Sequence, residues 1–315
     1  MKVKIIFLYF VIALLVDCQE GNASTLVYNM RVRRALNLNA VLHKDDKGFW
    51  AFSGAPIVST RTRKIDVPDG TCVHEKNIIA GALFDLRWIP TKEWWLEVTT
   101  GLEGECVRAT GTRTINNSRV GLDDIVFAGG YNFFLNDDLQ FVLYGLTGIP
   151  TRWKVTADEV YTVPVGSRLF GAGFGAELSY SFIQSKPKSL IAVLQTRFIH
   201  FFAREWFPIL PCGAKIQPGE TIDVLGSLKY RYKRNAVEAG YNPTFFANQG
   251  VLLKKSTTIS APFVRHSLFI NGLHVLEKTP DAKTLVAIGA GFNASWSKKF
   301  DTRIYTYWAS VGVLF

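Results

Sequence analysis

The sequence has little cysteine and lacks an apolar stretch long enough for a membrane helix. It carries four cysteines in 315 residues, and no two of them are spaced as Cys-x-x-Cys. A zinc site built on paired thiolates is therefore not expected. The apolar run Ile5–Val16 has twelve residues, whereas a membrane-spanning helix needs about 18 or more. These shortages argue against a thiolate metal protein and against a helical membrane protein.

Basic residues are abundant but are not concentrated in a block. Lys and Arg number 36 against 26 Asp and Glu, which gives a formal charge of +10. The absence of a basic block argues against nucleic-acid binding, and the net charge indicates an anionic lipid or solute as partner. The sequence suggests neither a cofactor nor a metal.

The N-terminus predicts an exported protein. Lys2 and Lys4 precede the apolar run, and small residues follow it, so residues 1–23 are predicted to be a signal peptide. A lipoprotein signal ending at Cys18 is the alternative, but the neighbouring Asp17 argues against it.

Residues 24–47 differ from the rest of the chain. Their apolar side chains have roughly helical spacing, and three arginines lie beside them. This segment is predicted to be either a periplasmic or plug helix or an N-terminal arm.

The last eleven residues alternate between two kinds of side chain. Every second position is apolar or aromatic: Tyr305, Tyr307, Ala309, Val311, Val313 and Phe315. Alternate side chains of a strand face opposite sides, so one face is wholly apolar. Such a face is an aggregation hazard in water, but it is stable against lipid if the strand belongs to a closed barrel. The alternative is a buried closing strand of a soluble β-sandwich.

This terminal run resembles the C-terminal strand of bacterial outer-membrane β-barrels. In those proteins a terminal aromatic residue and alternate apolar residues form the signal read by the barrel-assembly machinery. The resemblance covers residues 305–315. It implies that Phe315 belongs to such a signal and that the assembly machinery is a partner.

Strand-like segments joined by short turns recur from Gly48 onward. Twelve strands are predicted, at 49–63, 78–88, 94–103, 122–135, 139–148, 169–183, 190–206, 221–232, 236–247, 261–276, 284–296 and 305–315. Short turns alternate with longer loops, which is typical of transmembrane barrels. We therefore predict an all-β fold: one antiparallel transmembrane β-barrel of about 12 strands over residues 48–315, in the bacterial outer membrane with its short turns on the periplasmic side.

Charged residues on these strands fall opposite the apolar face. A charge facing lipid at mid-bilayer would cost about 2–4 kcal/mol, so these side chains should point into the lumen. Eight residues are predicted to line a pore: Asp85, Arg87, Glu97, Arg197, Lys229, Arg231, Glu238 and Arg265. One interpretation is a polar pore that favours anions, and the alternative is a salt-bridge network that closes the barrel.

Two cysteines flank one predicted hairpin. Cys72 falls in the first outer loop and Cys106 at the outer end of the third strand. An exported protein permits a disulfide, so Cys72–Cys106 is a candidate pair. Cys212, in another outer loop, would then be left free.

Two motifs suggest enzymes but do not fit them. Gly171–Ala176 matches a dinucleotide fingerprint, yet it continues as a strand instead of opening a helix. His266 and Ser267 resemble part of the catalytic set of outer-membrane phospholipases, which places one residue between His and Ser. Here the two are adjacent and must face opposite sides of a strand, so catalytic residues are not expected.

Segment 121–151 resembles outer-membrane channels linked to the degradation of aromatic compounds. The ending Gly148-Ile149-Pro150-Thr151 is close to, but not the same as, the strand ending common in that family. The resemblance implies a porin-like channel for small polar solutes, anionic or aromatic ones among them.

The alternatives to a channel are a structural or surface-interaction barrel with a plugged lumen and, less favoured, an outer-membrane hydrolase. The expected partners are outer-membrane lipid, lipopolysaccharide, the assembly machinery and small-molecule solutes, but not nucleic acid.

Overall fold

The computed structural model describes residues 49–66, 72–110, 114–151, 170–185, 187–202, 204–205, 215–217, 219–247, 249–252, 256–276, 285–298 and 301–314. The predicted signal peptide 1–23, the segment 24–47, Cys212 and Phe315 lie outside these ranges. Within them, no helix is long and apolar enough to cross a membrane.

Eighteen strands follow one another along the described chain. They are β1 (Phe49–Asp66), β2 (Cys72–Ile89), β3 (Trp94–Thr110), β4 (Thr114–Leu122), β5 (Ile125–Phe134), β6 (Leu139–Ile149), β7 (Gly171–Gln184), β8 (Lys188–Phe201), β9 (Arg204–Glu205), β10 (Lys215–Gln217), β11 (Thr221–Tyr232), β12 (Asn235–Tyr241), β13 (Thr244–Phe246), β14 (Gln249–Leu252), β15 (Ser256–Ser260), β16 (Phe263–Val275), β17 (Leu285–Ser297) and β18 (Thr302–Leu314).

Fourteen of these strands form one antiparallel sheet that closes on itself. β1 pairs with both β2 and β18, and β8 pairs with β11, so the ring has no free edge. β4 and β5 continue one another, as do β12 and β13, and the wall is therefore twelve strands around. The predicted antiparallel barrel of about 12 strands is confirmed.

The connections distinguish the two ends of the barrel. Four short turns, after β2, β5, β7 and β11, lie at the same end as Leu314; we call this the turn end. The tightest of them is Lys233-Arg234, where Lys233 adopts a left-handed φ of 53°. At the opposite end, the loop end, β9, β10, β14 and β15 form a separate four-stranded sheet within the connections after β8 and β13.

The two faces of the wall have opposite polarity. On β18, Tyr307 is 54% exposed on the outer face, whereas Thr306 is fully buried on the inner face. The outer face carries a band of exposed Leu, Ile, Val, Phe, Tyr and Trp, and serines, threonines, asparagines and charged residues are buried inside. In water, each Å² of this exposed apolar surface would cost about 25 cal/mol of free energy. The outer band is therefore suited to contact with lipid.

A one-residue bulge separates β4 from β5. Leu102 in β3 pairs with Leu122, whereas Thr99 pairs with Val126, so the β4–β5 side has one extra residue. The outward positions change from even to odd numbers, and Asp123 and Asp124 are buried at the junction. A single strand 122–135 was expected there, and alternation alone does not reveal such a bulge.

Candidate functional site

The barrel interior holds most of the described charges that are removed from water. All eight predicted pore-lining residues lie on the inner face, and Asp85, Glu97, Arg197, Glu238 and Arg265 are buried there. Arg87, Lys229 and Arg231 are half-buried. Whether they line an open pore stays a prediction.

One group of predicted residues is brought together on β2 and β3. Arg87 donates from Nε to Oε2 of Glu97 over 2.8 Å, and its guanidinium lies 4.9 Å from the Trp95 ring centre. Asp85 accepts a 2.7 Å hydrogen bond from the Thr99 hydroxyl. The pairing Arg87↔Glu97 is a direct cross-strand register position, so the sheet itself positions the ion pair.

A second group connects β8, β11 and β13. Arg197 donates from Nε to Oδ2 of Asp223 over 3.0 Å, and Thr244 donates to Oδ1 of the same carboxylate over 2.6 Å. Asp223 is thereby held from two neighbouring strands. Hydrogen bonds between ionised groups are strong, so these contacts hold the Arg197 and Asp223 side chains against the wall.

The remaining predicted residues are spread around the inner face. Glu238 accepts a 2.6 Å hydrogen bond from Ser227, and it lies opposite Lys229 in the register of β11 and β12. Arg231 follows Lys229 toward the turn end. Arg265 lies 5.1 Å above the Phe246 ring and is therefore next to an aromatic surface. In sequence it is far from the first group.

Sequence reasoning missed a charged cluster at the loop end. Arg61 and Arg63 of β1 both contact Glu75 of β2, the first of them over 3.2 Å. All three side chains are buried on the inner face. Alternation gives no signal here, because charged and polar residues occupy both faces of β1 beyond residue 60.

An apolar cluster on the inner face was also missed. It joins Val126, Ala128, Val142, Tyr144, Leu146, Ile199, Phe201 and Phe246. Phe246 stacks on Phe263 with 4.5 Å between ring centres. The lumen wall therefore combines charged groups with an aromatic and aliphatic patch, instead of being uniformly polar.

The predicted Cys72–Cys106 disulfide is not formed, and both residues are free cysteines. Cys106 pairs with Ile78 of β2, six residues from Cys72. At about 3.3 Å per residue, the Cα atoms of Cys72 and Cys106 are therefore roughly 20 Å apart along the strand direction. A disulfide requires Cα atoms within about 7 Å. Loop placement suggested proximity, but the strand register excludes it.

The phospholipase-like residues point in opposite directions, as their adjacency predicts. Ser267 is buried inside and lies 2.8 Å from the Ser295 hydroxyl. His266 lies on the outer face, stacked on Trp296 at 5.7 Å. Among the described residues, no group of three or more His, Cys, Asp and Glu is arranged to hold a metal ion.

Comparisons with known proteins agree on the fold. No family model matches the sequence, and no curated protein sequence matches it. An outer-membrane channel from Pseudomonas putida F1 superimposes with a TM-score of 0.54 at 11% identity, covering 86% of this chain and 96% of that one.

Two further solved structures are more distant. They are the translocator domain of autotransporter NalP from Neisseria meningitidis (TM-score 0.43, 11% identity, 92% and 97% covered) and the CymD monoaromatic hydrocarbon channel (TM-score 0.41, 11% identity, 89% and 91% covered). The inverted polarity, the closed antiparallel wall and the Pseudomonas structure together give one conclusion: the chain has the fold of a bacterial outer-membrane β-barrel.

Proposed function

We propose that the protein is an outer-membrane channel for small polar solutes, anionic and aromatic ones among them. The observation that carries this proposal is the inner face of the closed wall, where charged groups continue from Arg61 at the loop end to Arg231 near the turn end. Eight strands give an interior that side chains fill, and a wall of twelve encloses more room. The resemblance to a Pseudomonas channel in fold supports the proposal.

The wall chemistry suggests which solutes would pass. Arg265 lies over the ring of Phe246, which stacks on Phe263, so a cation and an apolar surface lie side by side near the loop end. An aromatic carboxylate could use both features in turn. Acidic side chains accompany the arginines throughout, which favours moderate anion selectivity over strong selectivity.

Conductance tests the channel proposal. Refolded residues 24–315 in a planar bilayer under a salt gradient should give discrete steps with an anion-biased reversal potential, and benzoate should reduce the chloride current. Lys229→Glu/Arg231→Glu should weaken the bias, because both side chains lie on the inner face and the change reverses two local charges.

The matched control is Lys92→Glu/Lys188→Glu, which makes the same charge change on exposed side chains at the turn end. This control should leave the reversal potential nearly unchanged. A bias that shifts equally in both variants would mean that overall charge, and not the lumen wall, sets the selectivity.

A plugged structural barrel is the second candidate. Buried pairs such as Arg197–Asp223 and Arg87–Glu97 stiffen the wall as a closing network would. A folded barrel that gives no steps would favour this candidate. Steps that then appear when residues 24–47 are deleted would identify that segment as the plug.

A further inference from the structure

Basic side chains crowd the outer face of the barrel at the loop end of β18, β1, β2 and β3. Five of them border one cleft of about 460 Å³: Lys64, His74, Lys76, Arg108 and Arg303. All five are exposed. Arg63 and Glu75 also border the cleft, but their side chains turn to the inner face and are buried. The basic cluster is therefore separate from the lumen.

The strand register arranges three of these residues in a row. Arg303 lies opposite Thr62, Thr62 opposite Lys76, and Lys76 opposite Arg108. The row crosses three gaps between strands of about 4.8 Å each, so it spans roughly 14 Å. A single phosphate is much shorter than such a row, whereas a headgroup with several phosphates can extend along it and contact more of its cations at once.

The cluster begins where the lipid-facing surface ends. On the outer face of β2, exposed apolar side chains run from Trp88 to Ile78, and Lys76 is the next outward residue. The ten steps from Ile78 to Trp88 rise about 33 Å along the strand, or roughly 25 Å across the membrane at a tilt near 40°. That is the height of the apolar band of an outer-membrane barrel, which puts the row at the depth of lipid headgroups.

The charge of the cleft suits an anionic headgroup. On its outer face Asp301, 3.4 Å from Arg303, is the acidic side chain that borders it within the described chain. Thr62 adds a hydroxyl group that could donate to a phosphate oxygen, whereas the Thr110 hydroxyl donates to the His74 carbonyl oxygen over 3.3 Å. Each basic side chain near a charged membrane surface contributes favourably to binding an anionic lipid.

We propose that this cleft binds the phosphate groups of one lipopolysaccharide molecule in the outer leaflet. The 14 Å row selects a headgroup with more than one phosphate over a phospholipid with a single one. The proposal requires the loop end to face the cell exterior, and it is independent of whether the lumen conducts.

The test compares lipid binding of two charge-reversal variants. Refolded residues 24–315 are titrated with purified lipopolysaccharide, and binding is measured by native mass spectrometry. Lys76→Glu/Arg108→Glu should bind at least roughly tenfold more weakly than the unchanged protein, because two headgroup contacts become repulsive. Lys92→Glu/Lys188→Glu, with the same charge change at the turn end, should bind as the unchanged protein does.

Folding and lipid identity are checked in parallel. A heat-dependent electrophoretic shift reports the folded barrel, and Lys76→Gln/Arg108→Gln replaces the first variant if that shift is lost. Unchanged binding in the folded variant would overturn the proposal, as would equal binding of phosphatidylglycerol or displacement by millimolar inorganic phosphate. Conductance steps should be the same in all variants, so a failed lipid test and a failed channel test are distinguishable.

Discussion

At the scale of single residues, large aromatic side chains inside the barrel lie over glycines of the neighbouring strand. Trp308 covers Gly291, Trp95 covers Gly130, and Tyr144 covers Gly175. Each pair is a cross-strand neighbour. Because glycine has no Cβ, the ring can pack directly against the backbone of the neighbouring strand. Close packing of these rings therefore requires glycine at these positions.

Gly291→Ala should therefore destabilise the barrel by about 1–3 kcal/mol, because the new Cβ would overlap the indole of Trp308. Urea unfolding in lipid vesicles, followed by tryptophan fluorescence, measures the change. Gly226→Ala is the matched control, since no atom lies within 4 Å of a Cβ at that position. Equal effects of the two substitutions would mean that glycine flexibility, and not the aromatic contact, matters.

At the scale of strands, alternation in the sequence predicted most of the wall. Apolar side chains that face lipid and polar side chains that face the interior alternate along each strand with a period of two residues. Alternation failed at particular places. At Asp123-Asp124 the bulge shifts the outward-facing residues from even to odd numbers. Beyond residue 60 of β1, both faces carry polar and charged side chains, so alternation no longer distinguishes them. Positions of Cys72 and Cys106 depend on register, which alternation does not specify.

The depth of a strand position should control the cost of a charge on it. Leu228→Arg on the outer face of β11 lies near the middle of the apolar band and should cost about 2–4 kcal/mol. Tyr232→Arg, at the turn end of the same face, should cost about 0–1 kcal/mol. Vesicle unfolding titrations measure both. A smaller penalty at residue 228 than at residue 232 would contradict the membrane position of this strand.

At the scale of the whole molecule, the number of strands followed from the sequence, but the contacts inside did not. Arg197 was expected in the lumen from its parity, yet its partner Asp223 becomes apparent only when β8 and β11 are aligned. The apolar patch around Phe246 likewise combines residues from four strands, β5, β6, β8 and β13. Long-range pairing is set by closure of the ring, to which every strand contributes.

Closure depends on the pairing of the first and last strands, and a cross-link tests it directly. Val58 of β1 lies opposite Tyr307 of β18, and both side chains are on the outer face. Opposite Cβ atoms in such a pair are about 4.5–5.5 Å apart, close to disulfide geometry. With the native cysteines replaced by serine, Val58→Cys/Tyr307→Cys should form a disulfide on mild oxidation. The heated, non-reduced protein should then migrate faster than the reduced form, because the bond closes nearly the whole chain into a loop.

The offset pair Val58→Cys/Tyr305→Cys is the control, since Tyr305 lies opposite Thr60 and two positions from Val58. The Cα separation of such diagonal neighbours is about 7–8 Å, which is beyond the usual reach of a disulfide. The offset pair should therefore cross-link much less. Equal cross-linking would mean that the seam slips in register, and no cross-linking of the matched pair in a heat-shifting barrel would mean that the ring closes elsewhere. A fixed register at this seam also aligns Arg303 with Lys76 and Arg108, so the same experiment bears on the basic row.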